Sequence, residues 1–225
     1  MPSIIFNNLK LMVSRIPKPT ISRLCKIYSL LEELEDEAEV TVSSKAIGER
    51  IGVGSHSVRK DISCLGEIGT VGSGYDISKL KAHIGHRLGL NVERKACVVG
   101  LGKLGRAIMQ HEKLFSSNFK IIAGFDANIN LLETIVTDIP VYPTYDIIET
   151  VRKNAIELAI LTVPGHAARE IVERLIEGGI KGIINLSSVT LSASMNEKVF
   201  VSNIDMVGEF RFLSALFTLE VEINN

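Results

Sequence analysis

The chain has 225 residues, 46% hydrophobic and 23% charged, with a formal net charge of −1. That is ample apolar material for one or two packed domains, and it argues against both a disordered chain and a bulk polycation. No apolar run reaches the ~18 residues of a membrane span and no secretory signal peptide opens the chain, so a cytoplasmic protein without membrane contact is expected; three cysteines (Cys25, Cys64, Cys97), an odd count without CxxC or metal-ligand spacing, argue against a disulfide scaffold or a metal site.

Charge is segregated at the N-terminus. Lys10, Arg15, Lys18, Arg23 and Lys26 precede Leu31 with no acid among them, and Glu32, Glu33, Glu35, Asp36, Glu37 and Glu39 follow. The basic segment suits phosphates, whereas the acidic cluster must face away from a nucleic acid. A solvated surface helix explains the same pattern. Thr20 is expected to cap a helix whose inner face carries Ile21, Leu24, Tyr28, Leu31 and Leu34 at steps of three and four. A second short helix starts near Ser43 or Ser44 and carries Ala46, Ile47 and Ile51. Gly52 and Gly54 supply a turn, and Ser55 is expected to cap a third helix. In that helix Val58, Ile62 and Leu65 face inward, while His56, Arg59, Lys60 and Ser63 face outward.

This pattern is a helix-turn-helix. Its second helix reads the major groove with its N-terminal residues, making Ser55, His56, Ser57, Arg59 and Lys60 candidate DNA contacts. Lys18, Ser44 and Ser73 are added as supporting contacts. The segment from Gly69 to Tyr75, rich in glycine, suits the hairpin wing of a winged helix. The pattern alone leaves a three-helix interaction module as an open alternative.

From Lys95 the period changes. Ala96-Cys-Val-Val99 reads as a buried parallel strand running into Gly100-Leu-Gly-Lys-Leu-Gly105 and then a helical stretch reaching Leu114. In that context Gly100 allows the tight turn, Gly102 lets backbone approach a pyrophosphate, and Gly105 lets helix and strand pack closely. Lys103 and Leu104 lie at the helix N-terminus, whose free N–H groups and partial positive charge favour phosphate. A second strand, Lys120 to Phe125, ends in Asp126, about 20 residues beyond Gly105, where a carboxylate bonds ribose hydroxyls and favours NAD(H) over NADP(H). Strands at 139–142, 157–163 and 181–185, with helices at 145–154 and 167–176 between them, predict an α/β Rossmann domain, a doubly wound parallel sheet. Thr162, Val163, Pro164, Asn185 and Leu186 then share the ligand rim with Gly102.

Among the residues after position 86 the histidines are His111 and His166, neither with a carboxylate neighbour that suggests a proton relay. Too little chain follows Asn185 to build a substrate domain. The remainder is spent on a C-terminal helix, Asp205 to about Glu222, whose Val207, Phe210, Phe212, Leu213, Leu216, Phe217 and Leu219 surround most of its girth. A second subunit is the expected cover, with packing on its own sheet as the alternative.

Together these residues resemble the Rex family of redox-sensing transcriptional repressors over nearly the whole chain. The resemblance rests on Ile16-Pro-Lys-Pro-Thr-Ile-Ser-Arg-Leu24, Ser57-Val-Arg-Lys-Asp-Ile-Ser63, Gly66-Glu-Ile-Gly-Thr-Val-Gly-Ser-Gly-Tyr75, Val99-Gly-Leu-Gly-Lys-Leu-Gly-Arg106, Ile160-Leu-Thr-Val-Pro164 and Val201-Ser-Asn-Ile-Asp205. It implies a repressor, not an enzyme, that senses the NADH/NAD balance, binds double-stranded palindromic operator DNA as a homodimer with exchanged C-terminal helices and releases it when NADH binds. It further implies that Arg23, His111 and Asp205 form the switch. The expected divisions are a winged-helix domain over 1–82, a Rossmann domain over 83–203 and a dimerisation helix over 204–225. The chain departs from the family pattern at Cys64-Leu65, at Val71, after Asp126 and at Leu186-Ser-Ser. A small NAD-dependent oxidoreductase with an accessory helical domain, or a family member with an altered ligand response, stays open as an alternative.

Overall fold

The structure, a computed structural model, describes residues 16–66, 74–111, 118–192 and 199–223. It forms two compact units, Met1–Val92 and Glu93–Asn225. Among the described residues no helix is long and apolar enough to cross a membrane.

The first unit contains α1 (Lys18–Asp36), β1 (Thr41–Val42), α2 (Ser44–Ile51), α3 (Ser55–Ser63), β2 (Tyr75–Asp76) and α4 (Ile77–Leu88). Its core is Leu24, Ile27 and Leu31 of α1, Ile47 of α2, Val58 and Ile62 of α3, and Leu80 and Ile84 of α4. Thr20 does not cap α1. The helix starts at Lys18, with Pro17 at the cap and a proline in the first turn, where a missing N–H costs nothing. Thr20 is therefore one turn inside and buried, and the inner stripe runs through Leu24, Ile27, Leu31 and Leu34, which leaves Ile21 37% exposed at its edge. Ser43 caps α2, its Oγ accepting from Ala46 N at 3.0 Å. Gly54 rather than Ser55 caps α3, because its carbonyl already receives the N–H groups of Ser57 and Val58.

The turn between α2 and α3 is built by two glycines. Gly52 adopts φ +75°, and a Cβ on Gly48 would lie 2.4 Å from the Val53 carbonyl oxygen. β1 and β2 pair antiparallel, Thr41 with Asp76 and Val42 with Tyr75. The expected wing tip, including Ser73, lies outside the described residues. The sequence pattern did not single out α4, and the boundary expected at residue 82 falls inside it. The unit runs on to Val92 because Ile77, Leu80 and Ile84 pack into this core.

The second unit is β3 (Arg94–Val99), α5 (Lys103–Gln110), β4 (Phe119–Asp126), α6 (Ile129–Thr134), β5 (Val141–Pro143), α7 (Ile147–Asn154), β6 (Leu158–Leu161), α8 (Gly165–Gly178), β7 (Gly182–Asn185), β8 (Phe200–Asn203) and α9 (Met206–Ile223). The six strands are parallel in the order β5-β4-β3-β6-β7-β8. Strand order reverses between β3 and β6, which creates the crevice where α/β sheets bind ligands. Cys97 and Val99 of β3 face the α7–α8 layer, and Val98 faces the α5–α6 layer, the period-two alternation of a strand covered on both sides. Burial pushes the Cys97 thiol up to about 12, so this cysteine is an inert core residue.

The second layer stops short of the far strands. Ile184 and Phe200 are exposed there, and Ala96, Leu158, Gly182 and Phe200 help line an apolar groove of about 470 Å³. Among the described residues nothing covers α9 either, with Phe210 73% and Phe217 66% exposed. Neither α6 nor β8 was singled out from the sequence.

Candidate nucleotide rim and nucleic-acid interface

α2 and α3 place Ser44 and Arg59 together, with Arg59 Nη1 donating to Ser44 Oγ at 3.0 Å. His56, Arg59 and Lys60 are exposed, Ser55 and Ser57 are half-buried at the start of α3, and Lys18 is exposed in the first turn of α1. The outer face of α3 thus presents an arginine, a lysine, a histidine and helix N-terminal N–H groups, all suited to base edges or phosphate oxygens. Tyr75, beside Arg59, was missed by the sequence reading; burial pushes its phenol up and the Arg59 charge partly offsets this.

Asp61 was missed as well. It is buried on the inner face of α3, where Arg23 Nε and Nη2 donate to its two carboxylate oxygens at 2.6 and 2.8 Å. Arg23 Nη2 also donates to Thr20 Oγ1 at 3.3 Å. The Asp61 carboxylate raises the Arg23 guanidinium further above its ordinary value. The signal was available: Asp61 falls three residues after Val58 and four before Leu65, on the inward phase, where a carboxylate needs a partner. Arg23 therefore fixes α3 to α1.

The rim of the second unit is built around the glycine loop. Gly100 turns at φ +96°, and a Cβ on it would meet the Thr162 backbone at 2.9 Å. A Cβ on Gly105 would lie 1.9 Å from the Gly100 carbonyl oxygen. Thr162 Oγ1 donates toward that same oxygen at 2.6 Å, and Leu101 N donates to Asp126 Oδ2 at 2.6 Å. The loop is thus clamped between the ends of β6 and β4. Gly102 caps α5 without a side-chain hydrogen bond, and nothing lies within 4 Å of where its Cβ would stand. Open space above unpaired N–H groups, with Lys103 and Leu104 exposed beside it, fits a pyrophosphate. Asp126 at the end of β4 keeps a half-exposed carboxylate where a ribose would lie, though both its oxygens already accept backbone bonds, from Leu101 N and Asn128 N.

Val163 and Pro164 join Thr162 on this rim, leading into the N-terminus of α8. Asn185 ends β7 on the same side, but it offers a ligand no free amide atom. It is 1% exposed, its Nδ2 donates to Val189 O and Asn203 Oδ1, and its Oδ1 accepts from Ser187 N and Oγ. Asn185 shapes the rim from beneath. His111 caps the far end of α5, an eight-residue helix about 12 Å long, so within one chain it stands away from the glycine loop. It lines a separate hollow with Gln110, Val136 and Asp138. Asp205 caps α9, accepting from Gly208 N at 2.9 Å.

A protein-family model described as "CoA binding domain" matches residues 91–189, and one described as "Putative DNA-binding protein N-terminus" matches residues 15–63. Coenzyme A and NAD share an adenosine diphosphate, the part a glycine loop grips. The chain is 36% identical to redox-sensing transcriptional repressor Rex 1 of Enterococcus faecalis, over 88% of this chain and 91% of that one. It is 35% identical to Rex 1 of Thermotoga maritima, over 90% and 96%. Among solved structures it resembles RSP in complex with β-NAD+ and operator DNA, at a TM-score of 0.83 and 26% identity, over 93% of this chain and 95% of that one. It also resembles RSP in complex with β-NADH, at a TM-score of 0.80 and 25% identity, over 93% and 98%.

Proposed function

The chain belongs to the Rex family of redox-sensing transcriptional repressors, and we propose that it is a DNA-binding repressor that holds a palindromic operator and releases it when NADH binds. The observation that carries this reading is the pairing, in one chain, of an exposed recognition helix with an anion-ready α5 N-terminus under open space at Gly102. Arg59 and Lys60 read bases, with His56, Ser55 and Ser57 at the helix start. Lys18, Ser44 and Ser73 hold phosphates.

The dinucleotide lays its pyrophosphate over Gly102, Lys103 and Leu104, with Gly100 and Gly105 shaping the loop, its adenosine ribose at Asp126, and its nicotinamide toward Thr162, Val163 and Pro164. Its role here is that of an effector. NAD+ carries a positive, planar ring and NADH a neutral one, so two arrangements of the protein bind them unequally and their ratio sets the population. Arg23, His111 and Asp205 remain the proposed switch positions. Arg23 has a second duty as the partner of Asp61.

The protein acts as a homodimer through the apolar α9, as a two-fold reader of a palindrome requires. Its place of action is the cytoplasm, where operator DNA and the NADH pool meet. Its relatives are regulators, and no catalytic role is proposed.

The test is operator binding by fluorescence anisotropy, titrated with NADH and then with NAD. A coupling of about 1–3 kcal/mol weakens the operator about 5- to 150-fold with NADH, and the operator weakens NADH by the same factor. Tight NADH binding with unchanged operator affinity would overturn the sensing role, and steady turnover of NADH against carbonyl compounds would restore the oxidoreductase reading.

A further inference from the structure

A hydrogen-bonded amide pair joins the rim loop to the start of α9. Asn185 and Asn203 end the neighbouring strands β7 and β8 and face each other in register. Asn185 Nδ2 donates to Asn203 Oδ1 at 2.8 Å. The rest of both amides grips residues 186–191. Asn185 bonds Ser187 and Val189, and Asn203 accepts from Leu191 N at 2.9 Å and donates to Leu191 O at 3.0 Å.

That loop lies against the rim. A Cβ on Gly165, next to Pro164, would stand 2.7 Å from Val189 Cγ1 and 2.8 Å from Ser188 Oγ. There is no slack between the loop and the N-terminus of α8. On the other side the chain has only Ile204 and Asp205 between Asn203 and α9. Ile204 N donates to Asn185 O at 2.9 Å, while Asp205 caps the helix through Gly208 N and Glu209 N. Asn203 is itself exposed, so its amide has water as an alternative partner, yet it is committed to three protein bonds. A surface residue spent this way holds two segments in one arrangement.

We propose that Asn203 is a positioning residue which, with Asn185, transmits occupancy of the nucleotide rim to the first turn of α9 within the same chain. The proposal rests on the reading of the rim as an NADH site. When a ligand displaces the 186–191 loop, Leu191 and Val189 pull on the amide pair, and the β8 end with its Ile204–Asp205 link must follow. The two elements move together because they share hydrogen bonds, the physical warrant a coupling claim needs.

The experiment uses the full chain with Asn203→Ala and Asn203→Asp, with Thr190→Ala as an exposed control in the same loop. Calorimetry gives NADH affinity, anisotropy gives operator affinity with and without NADH, and amide hydrogen exchange follows Gly208 and Glu209. In the wild type, NADH is expected to change exchange at both amides. Asn203→Ala keeps its melting temperature within a few degrees, binds NADH within about threefold of wild type, and loses at least three-quarters of the fold-change in operator affinity along with the exchange response. Asn203→Asp retains the acceptor bonds to Asn185 Nδ2 and Leu191 N and recovers part of both. An Asn203→Ala chain with wild-type coupling overturns the proposal. So does one that simply fails to bind NADH, since Asn203 would then be pocket scaffolding. A wild-type chain whose operator ignores NADH sinks the sensing role itself, a failure seen before any variant is made.

Discussion

Gly102 and Gly105 sit three residues apart, yet the structure gives them opposite constraints. A methyl at Gly102 meets nothing within 4 Å, whereas one at Gly105 falls on the Gly100 backbone. Gly102→Ala is therefore expected to leave thermal stability unchanged and weaken NADH by more than about tenfold, ~1.4 kcal/mol, because it occupies the ligand's space. Gly105→Ala costs about 1–3 kcal/mol of stability from overpacking as well as the ligand. Melting curves and calorimetry on the two variants separate these roles; equal stability losses would show the reading of the cradle to be wrong. Glu157 offers a second residue-scale case. It pairs with Lys181 and with Arg94, the latter at 2.9 Å, and these cations hold its carboxyl below the usual carboxylate value. A folded-state value depressed below the unfolded value of about 4.3 means stability that is present above that pH and lost as pH falls through the folded value. Glu157→Gln is expected to cost about 1 kcal/mol at pH 7, since its partners are solvent-screened. The gap to wild type should narrow as pH falls below the unfolded value of about 4.3 and through the depressed folded value, as a series of urea melts over falling pH would show.

At the scale of elements, α3 serves two faces. Val58 and Ile62 bury it, Asp61 is gripped by Arg23, and Arg59 and Lys60 are left exposed on the outer face proposed to meet DNA. Arg59→Ala is expected to cost about 1–3 kcal/mol of specific operator affinity and relax one base position, with little effect on scrambled DNA. Equal losses on both sequences would recast Arg59 as a phosphate contact. Arg23→Ala is a poor probe of any switch, because it strands the Asp61 carboxylate and loosens α3 from α1. The two roles separate only in a double-mutant cycle with Asp61→Asn. Much of this element was legible beforehand: the helix-turn-helix, its inward Val58 and Ile62 and its outward Arg59 follow from helical period. The inward position of Asp61 follows from the same period, but its partner Arg23 and the pairing of Tyr75 with Arg59 do not, because they come from distant sequence.

At the scale of the whole molecule, two apolar surfaces have no cover among the described residues: the sheet face at Ile184 and Phe200, and most of α9. Surfaces of this kind on a water-exposed protein mark association. Phe210→Asp with Phe217→Asp is expected to yield a folded monomer by sedimentation, with operator affinity reduced at least about a hundredfold because one half-site replaces two. A dimer that persists in this double variant would exclude α9 as the interface.

The sequence by itself determined the architecture and the place of the glycine-loop rim. Strand-loop-helix spacing around Gly100, Gly102 and Gly105, and the placement of Asp126, depend on local geometry that a run of residues specifies. The helical stripe of α1 was readable for the same reason, although its cap is Pro17, three residues before the expected Thr20. Only the tertiary structure decided which polar groups remain available. Asn185 lies on the predicted rim, yet its amide is consumed by Val189, Ser187 and Asn203. His111 follows the glycine helix in sequence and stands at its far end in space. α6 and β8 are short and draw their stability from what they pack on, not from their own period, whereas α4, twelve residues with Ile77, Leu80 and Ile84 on one face and Asp76 as its cap, carries a period that was readable. Hydrogen-bond partners are set by where distant strands meet, and no local pattern encodes that meeting.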